Sequence, residues 1–209
     1  MNIEMWLSFV VASTIVLTIP GPTILLVVSY AITHGKRANI PLVLAVTFGD
    51  IVVVGGSLLG LGTLLATSAF WFTVFKWIGG LYLLYLGISM LRSGTSPIEL
   101  SKLEKVDSHW KLFINTFIVT ALNPKSIVFL VAFMPQFITP NADTSLQLWI
   151  IASTFIIIAS IVVTLYAVFA SSAANFLSSS RTQQRFNFVG GSLLSLAGVW
   201  TLLAKRPST

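Results

Sequence analysis

From residue 5 to residue 33 the chain carries no Asp, Glu, Lys or Arg, and the run from 144 to 180 is equally free of charge. Each is longer than the roughly 20 apolar residues that take a helix across a bilayer. One soluble core could not absorb such runs, because the chain lacks the polar residues to cover it. Only 9% of its residues are charged and 56% are hydrophobic, against roughly 25% charged in an average soluble domain. The expected fold class is an all-α integral membrane protein. Hydropathy divides it into six transmembrane helices, at about 6–30, 40–65, 70–91, 112–133, 146–170 and 188–203.

The start, Met1-Asn2-Ile3-Glu4, has no basic residue ahead of the apolar run and no small-residue cleavage site after it. A retained helix is expected there, not a removable signal peptide. The sequence contains no cysteine, which excludes disulfides, thiolate metal sites and a membrane oxidoreductase relaying electrons through cysteine pairs. The net charge of +6 does not imply nucleic acid, because the basic residues sit between apolar segments and line no single face.

Those basic residues predict orientation. Lys36 and Arg37, then Arg92, Lys102, Lys105 and Lys111, then Arg181 and Arg185 fall in the first, third and fifth loops, while the opposite side holds Lys205 and Arg206. An excess of Lys and Arg marks the cytoplasmic side, so both termini are expected outside. Lys76, near the outer end of the third span, can snorkel to the headgroups. Trp6, Trp71, Trp77, Trp110, Trp149 and Trp200 lie near span ends, as interfacial anchors do.

The chain also repeats. Phe75-Lys76-Trp77-Ile78-Gly79-Gly80 leads to Leu83, Gly87 and Leu91; Phe186-Asn187-Phe188-Val189-Gly190-Gly191 leads to Leu194, Gly198 and Leu202. Helix breakers recur in step, as Pro20-Gly21-Pro22-Thr23 in the first span and Asn123-Pro124-Lys125-Ser126 in the fourth. A repeated three-helix unit enters the membrane from opposite sides in its two copies, giving inverted repeats. The expected division is a first repeat over 1–95, a cytoplasmic linker over 96–110 and a second repeat over 111–209, with helices 1 and 4 broken.

Broken helices point to the site. Proline removes a backbone donor and clashes with the preceding turn, and irregular backbone at membrane depth is tolerated only inside protein or against a water-filled cavity. Pro20, Gly21, Pro22, Thr23, Asn123, Pro124 and Lys125 are therefore expected to line a solute site, together with Asp50, the one acidic residue well inside a span. A charge there costs at least a few kcal/mol. Asp50 either titrates and carries a coupled proton, binds a solute ammonium, or pairs with Lys125. Lys125 either meets a substrate carboxylate or compensates Asp50. Gly56 and Gly60, with Gly79, Gly80 and Gly87 and their counterparts Gly190, Gly191 and Gly198, fit close helix packing. No metal cluster, phosphate loop or catalytic constellation is legible, so neither a cofactor nor an enzymatic activity is expected.

Taken in order, Pro20-Gly21-Pro22, Gly35-Lys36-Arg37, Gly49-Asp50, the stretch from Gly79-Gly80 to Leu86-Gly87, and Asn123-Pro124-Lys125 followed by Pro135-Gln136-Phe137 resemble the LysE/RhtB family of amino-acid exporters. The resemblance covers nearly the whole chain. It departs at Thr23, where many relatives carry Asn, and at Asn39, where a second loop Gly is common. It implies efflux of amino acids or their derivatives across the bacterial inner membrane by a secondary, proton-driven antiport. The expected partners are the amino acid, a proton and the lipid bilayer; the oligomeric state, a homodimer included, stays open. The competing readings are an inorganic ion exporter, for which one intramembrane Asp supplies too few ligands, and a non-transporting membrane scaffold.

Overall fold

The protein is described by a computed structural model over residues 1–67, 69–92, 108–138, 143–170, 172–173 and 179–203. Among the described residues the structure is helical and contains no strand. The main helices are α1 (Ile3–Thr18), α2 (Pro22–His34), α3 (Asn39–Thr67), α4 (Ala69–Arg92), α5 (His109–Ala121), α6 (Pro124–Phe133), α7 (Thr144–Val168) and α8 (Ser180–Leu203). Short 3-10 turns, Gly35–Ala38 and Met134–Phe137, follow α2 and α6.

Local chemistry sets these boundaries. The Asn2 side chain accepts from the Met5 N–H at 2.9 Å and starts α1. Asp143 does the same for α7, accepting from the Leu146 N–H at 3.1 Å. Both occupy an orphan donor of the first turn. At the end of α2 the chain turns back through Gly35, at φ +68°, a conformation that glycine adopts without steric cost. α8 begins at Ser180, eight residues ahead of the apolar stretch expected at 188, because Arg181, Thr182, Gln183, Gln184 and Arg185 continue the helix without contributing hydropathy.

Among the described residues three segments are long and apolar enough to cross a membrane, at 22–59, 109–131 and 144–168, and α1 and residues 80–92 are shorter apolar helices. The distribution of side chains is inverted relative to a soluble protein. Ile40, Leu44, Phe48, Ile51 and Leu59 on α3 and Trp149, Ile157, Ile161 and Leu165 on α7 are exposed, whereas Ser13, Thr23, Asp50, Thr116, Asn123, Ser126 and Gln147 are buried. Soluble monomers rarely expose apolar surface on this scale; hydrocarbon is the medium that suits it.

Two apolar clusters make the interior. One gathers Phe9 of α1, Phe129 and Phe133 of α6, Phe137 and Phe155 of α7, with Phe9 edge-on to Phe137 at 5.3 Å between ring centroids. The other gathers Val27, Tyr30 and Ala31 of α2, Leu42 and Val46 of α3, Leu112 of α5, and Val163 and Ala167 of α7. α4 lies along α8, with its glycines against the opposite backbone. A Cβ on Gly87 would stand 2.6 Å from the Gly191 carbonyl oxygen, and one on Gly198 would stand 2.7 Å from that of Gly80. Because 80 meets 198 and 87 meets 191, the two helices run antiparallel. A Cβ on Gly190 would meet Met90 and Ile19 side chains from 3.0 Å, while one on Gly56 would meet nothing within 4 Å. Gly60, Gly79, Trp71 and Lys76 have surroundings outside the described residues, as do residues 96–107 of the expected linker.

Candidate functional site

The first break follows from backbone donors. In a continuous helix the N–H of residue 20 would bond the carbonyl of residue 16, and that of residue 22 the carbonyl of residue 18. Residues 20 and 22 are prolines, so the carbonyls of Val16 and Thr18 lose their donors. α1 ends at Thr18, Ile19 and Gly21 are extended, and α2 restarts with Pro22 in its first turn, the helical position where a missing N–H costs nothing.

The orphaned carbonyls are satisfied from far along the chain. Lys125 Nζ donates to the Val16 oxygen at 3.0 Å and to the Ile19 oxygen at 2.7 Å. Tyr166 of α7 donates its hydroxyl to the Thr18 oxygen at 2.9 Å. An unbonded buried carbonyl costs about 1–3 kcal/mol, so these bonds fix the cut end of α1. Gly21 lets the lysine pass: a Cβ there would be 3.3 Å from Nζ.

The second break mirrors the first in kind. α5 ends at Ala121, the Asn123 N–H turns back onto the Thr120 carbonyl at 3.0 Å, and α6 restarts with Pro124 in its first turn. Asn123 has two tasks. Its Oδ1 accepts from the Lys125 N–H at 3.1 Å and caps α6, and its Nδ2 donates to Thr23 Oγ1 at 3.1 Å. The two restarting helices are thus tied to each other at their first turns.

Asp50 reaches this junction through Gly49. A Cβ on Gly49 would lie 2.7 Å from Thr120 Cβ and 3.2 Å from the Ala121 nitrogen. Only glycine lets α3 press this closely on the end of α5, and the next side chain, 2% exposed, then faces the junction. Asp50 and Lys125 carry opposite formal charges. With Gly21, Thr23, Thr120, Asn123 and Ser126 they line a cavity of about 30 Å³, closed by Leu17, Ile24, Val46 and three α7 residues. That is room for about two water molecules, far below the roughly 300–1,000 Å³ of ordinary ligand pockets. An amino acid does not fit the space as it stands.

Of the residues expected at a site, Gly21, Thr23, Asp50, Asn123 and Lys125 line this one cavity. Pro20, Pro22 and Pro124 form the breaks that open it. Ser126, which follows Lys125 in the second break expected from sequence, lines the cavity too, whereas Tyr166 and Thr120 carry no sequence signal of a role here. The prolines do signal carbonyls in need of donors, but nothing in the sequence says that a tyrosine of α7 serves one. Among the described residues no group of three His, Asp or Glu side chains stands close enough to hold a metal ion.

An apolar exterior over buried polar groups, with two cut helices meeting at one polar cavity, defines an integral membrane protein, and its relatives mark it as a transporter, not an enzyme. The LysE type translocator family model matches residues 14–205, and the chain belongs to that family. It is 34% identical to a homoserine/homoserine lactone efflux protein of Salmonella typhimurium (strain LT2), over 99% of this chain and all of the relative. It is 35% identical to the protein so described in Salmonella typhi, with the same coverage. A Vibrio cholerae protein described as an uncharacterized membrane protein is 32% identical over 98% of the chain and all of its own length. No solved structure matches the chain.

Proposed function

We propose that this protein is a secondary exporter of amino acids or amino-acid derivatives in the bacterial inner membrane, coupled to inward proton flow, with the cavity between the two breaks as its solute site. The observation that carries the reading is the joining of both breaks, Asp50 and Lys125 around one buried polar space. Its chemistry suits a zwitterion. Asp50 can take an ammonium or a proton, and the restarting ends of α2 and α6 present backbone N–H groups that favour a carboxylate. The relatives' description as homoserine and homoserine lactone efflux proteins makes homoserine the first solute to try.

The proposed architecture is six spans in two inverted repeats, 1–95 and 111–209, with both termini outside. The glycine exchange between α4 and α8 supports it. The sequence offset that relates Gly80 to Gly191 and Gly87 to Gly198 also turns the contact of 80 with 198 into the contact of 191 with 87, as a pseudo-two-fold axis between the repeats requires.

The test is export. Cells expressing the protein and loaded with homoserine-containing or other dipeptides are compared with empty-vector cells, and the amino acids appearing outside are quantified. Faster appearance of homoserine or another amino acid supports the reading, and equal rates for every amino acid overturn it.

A further inference from the structure

We infer that Ser13 and Thr116 are the next polar stations of the solute pathway, one on each side of the cavity, each gaining hydrogen-bond partners when its own side opens. The inference rests on the reading that the cavity is the transport site.

Both residues are 0% exposed, and the hydroxyl of each has no hydrogen-bond partner. That is not the habit of such residues here. Ser8, Thr14, Thr47 and Thr120 all return their hydroxyl protons to the carbonyl one turn back. Buried hydroxyls are normally paired, and an unpaired one is destabilising enough to call for an explanation.

Their positions supply one. Leu17 of α1 and Thr120 of α5 line the cavity. Ser13 and Thr116 lie four residues before them, so on the same helix faces one turn further from the breaks. The offset of 103 residues that carries Pro20 onto Asn123 carries Ser13 onto Thr116 and Leu17 onto Thr120. The two hydroxyls therefore occupy equivalent places in the two halves.

They also lie toward opposite ends of the cavity, and α7 acts as a ruler. Its Ala159, Val162 and Val163 line the cavity. Phe155, one turn before, belongs to the phenylalanine cluster around Phe9, on the side of Ser13. Ala167, one turn after, belongs to the cluster around Leu112 and Tyr30, on the side of Thr116. Two other unpaired atoms, Asn39 Oδ1 and Ser195 Oγ, lie off these faces, the second where α8 meets Gly87.

Because the chain has no cysteine, Ser13→Cys and Thr116→Cys give single thiols. A membrane-impermeant thiol reagent applied to right-side-out and to inverted vesicles should modify one variant only from the outside and the other only from the inside. Modification of both from the same side, or of neither from either side, overturns the inference. Ser13→Ala and Thr116→Val extend the test. A merely structural hydroxyl predicts an unchanged or raised melting temperature and unchanged homoserine export. A pathway hydroxyl predicts the same melting behaviour with export lowered about tenfold, the equivalent of one lost hydrogen bond; unchanged export in both variants also overturns it. Sided labelling in a protein that exports no amino acid would leave this pathway standing and discard the proposed solute.

Discussion

Lys125 stands in for the donor that Pro20 cannot be: its ammonium meets the Val16 carbonyl oxygen at 3.0 Å, where a continuous helix would place the N–H of residue 20. The lysine is thus committed to the cut end of α1, and it shares the cavity lining with Asp50. Its role begins with holding the break open in one geometry, and any contact with a solute carboxylate is made from that position.

Replacing Lys125 should therefore cost folding before it costs binding. Lys125→Met keeps the aliphatic stem but leaves the Val16 and Ile19 oxygens unbonded. Losses of about 3 kcal/mol are typical for such uncompensated groups. The check is thermal unfolding in detergent, where a melting temperature like that of the native protein would mean that the two carbonyls have found other donors.

Asp50→Asn should do the reverse. Asparagine keeps the size and loses the titration, and it relieves the expense of a carboxylate held inside the bilayer. The variant is expected to insert, with Lys125 still held by the Val16 and Ile19 carbonyls, and to lose export driven by an imposed pH gradient in proteoliposomes. Full gradient-driven export would assign the coupling to another group or to none.

The glycines separate into two kinds. At Gly87 a Cβ would meet the Gly191 carbonyl oxygen and the Ser195 nitrogen, both at 2.6 Å, and backbone cannot step aside. At Gly56 it would meet open space. Gly87→Val should reduce folded protein in the membrane severely, by at least the roughly 1–3 kcal/mol of an overpacked interior, whereas Gly56→Val should express and melt normally. Fluorescence-detected size exclusion of the two variants side by side is sufficient to tell.

What was legible in the sequence is what local chemistry determines. Pro20, Pro22 and Pro124 cut their helices wherever they are placed, and the charge-free runs find the helices with no tertiary information. Asp50 and Lys125 stood out because charges are rare in apolar spans. The partners did not. Lys125 could be read as a substrate ligand or as a companion of Asp50, but its bonds to Val16 and Ile19, with its stem passing beside Gly21, are a relation across more than a hundred residues. Gly56 and Gly80 look alike in a small-residue stripe, and only packing distinguishes them. The early start of α8 escaped hydropathy because its first turns are polar.

Orientation rests on charge alone and is open to a direct test. With the Lys and Arg of the odd-numbered loops inside, a reporter fused after Thr209 should read as extracytoplasmic and one inserted near Leu100 as cytoplasmic. The opposite pattern would invert the proposed orientation.

The bond between Thr23 and Asn123 carries the last prediction. It is a tie between the two restarting helices, made by Asn123 Nδ2 alone, while Asn123 Oδ1 independently caps α6. Thr23→Val removes the tie and spares the cap, so the fold should lose about 1–3 kcal/mol, the cost of leaving the buried Asn123 amide unbonded. If the cavity widens by parting these helices, the same loss favours the wider state, and 1 kcal/mol is roughly a factor of five in population. Ser126 lines the cavity, so Ser126→Cys reports that population through its labelling rate. Labelling should be several-fold faster in the Thr23→Val background and native-like with Thr23→Ser, which retains the acceptor oxygen. Equal rates in all three would show that the tie is structural only and that the cavity opens by another motion.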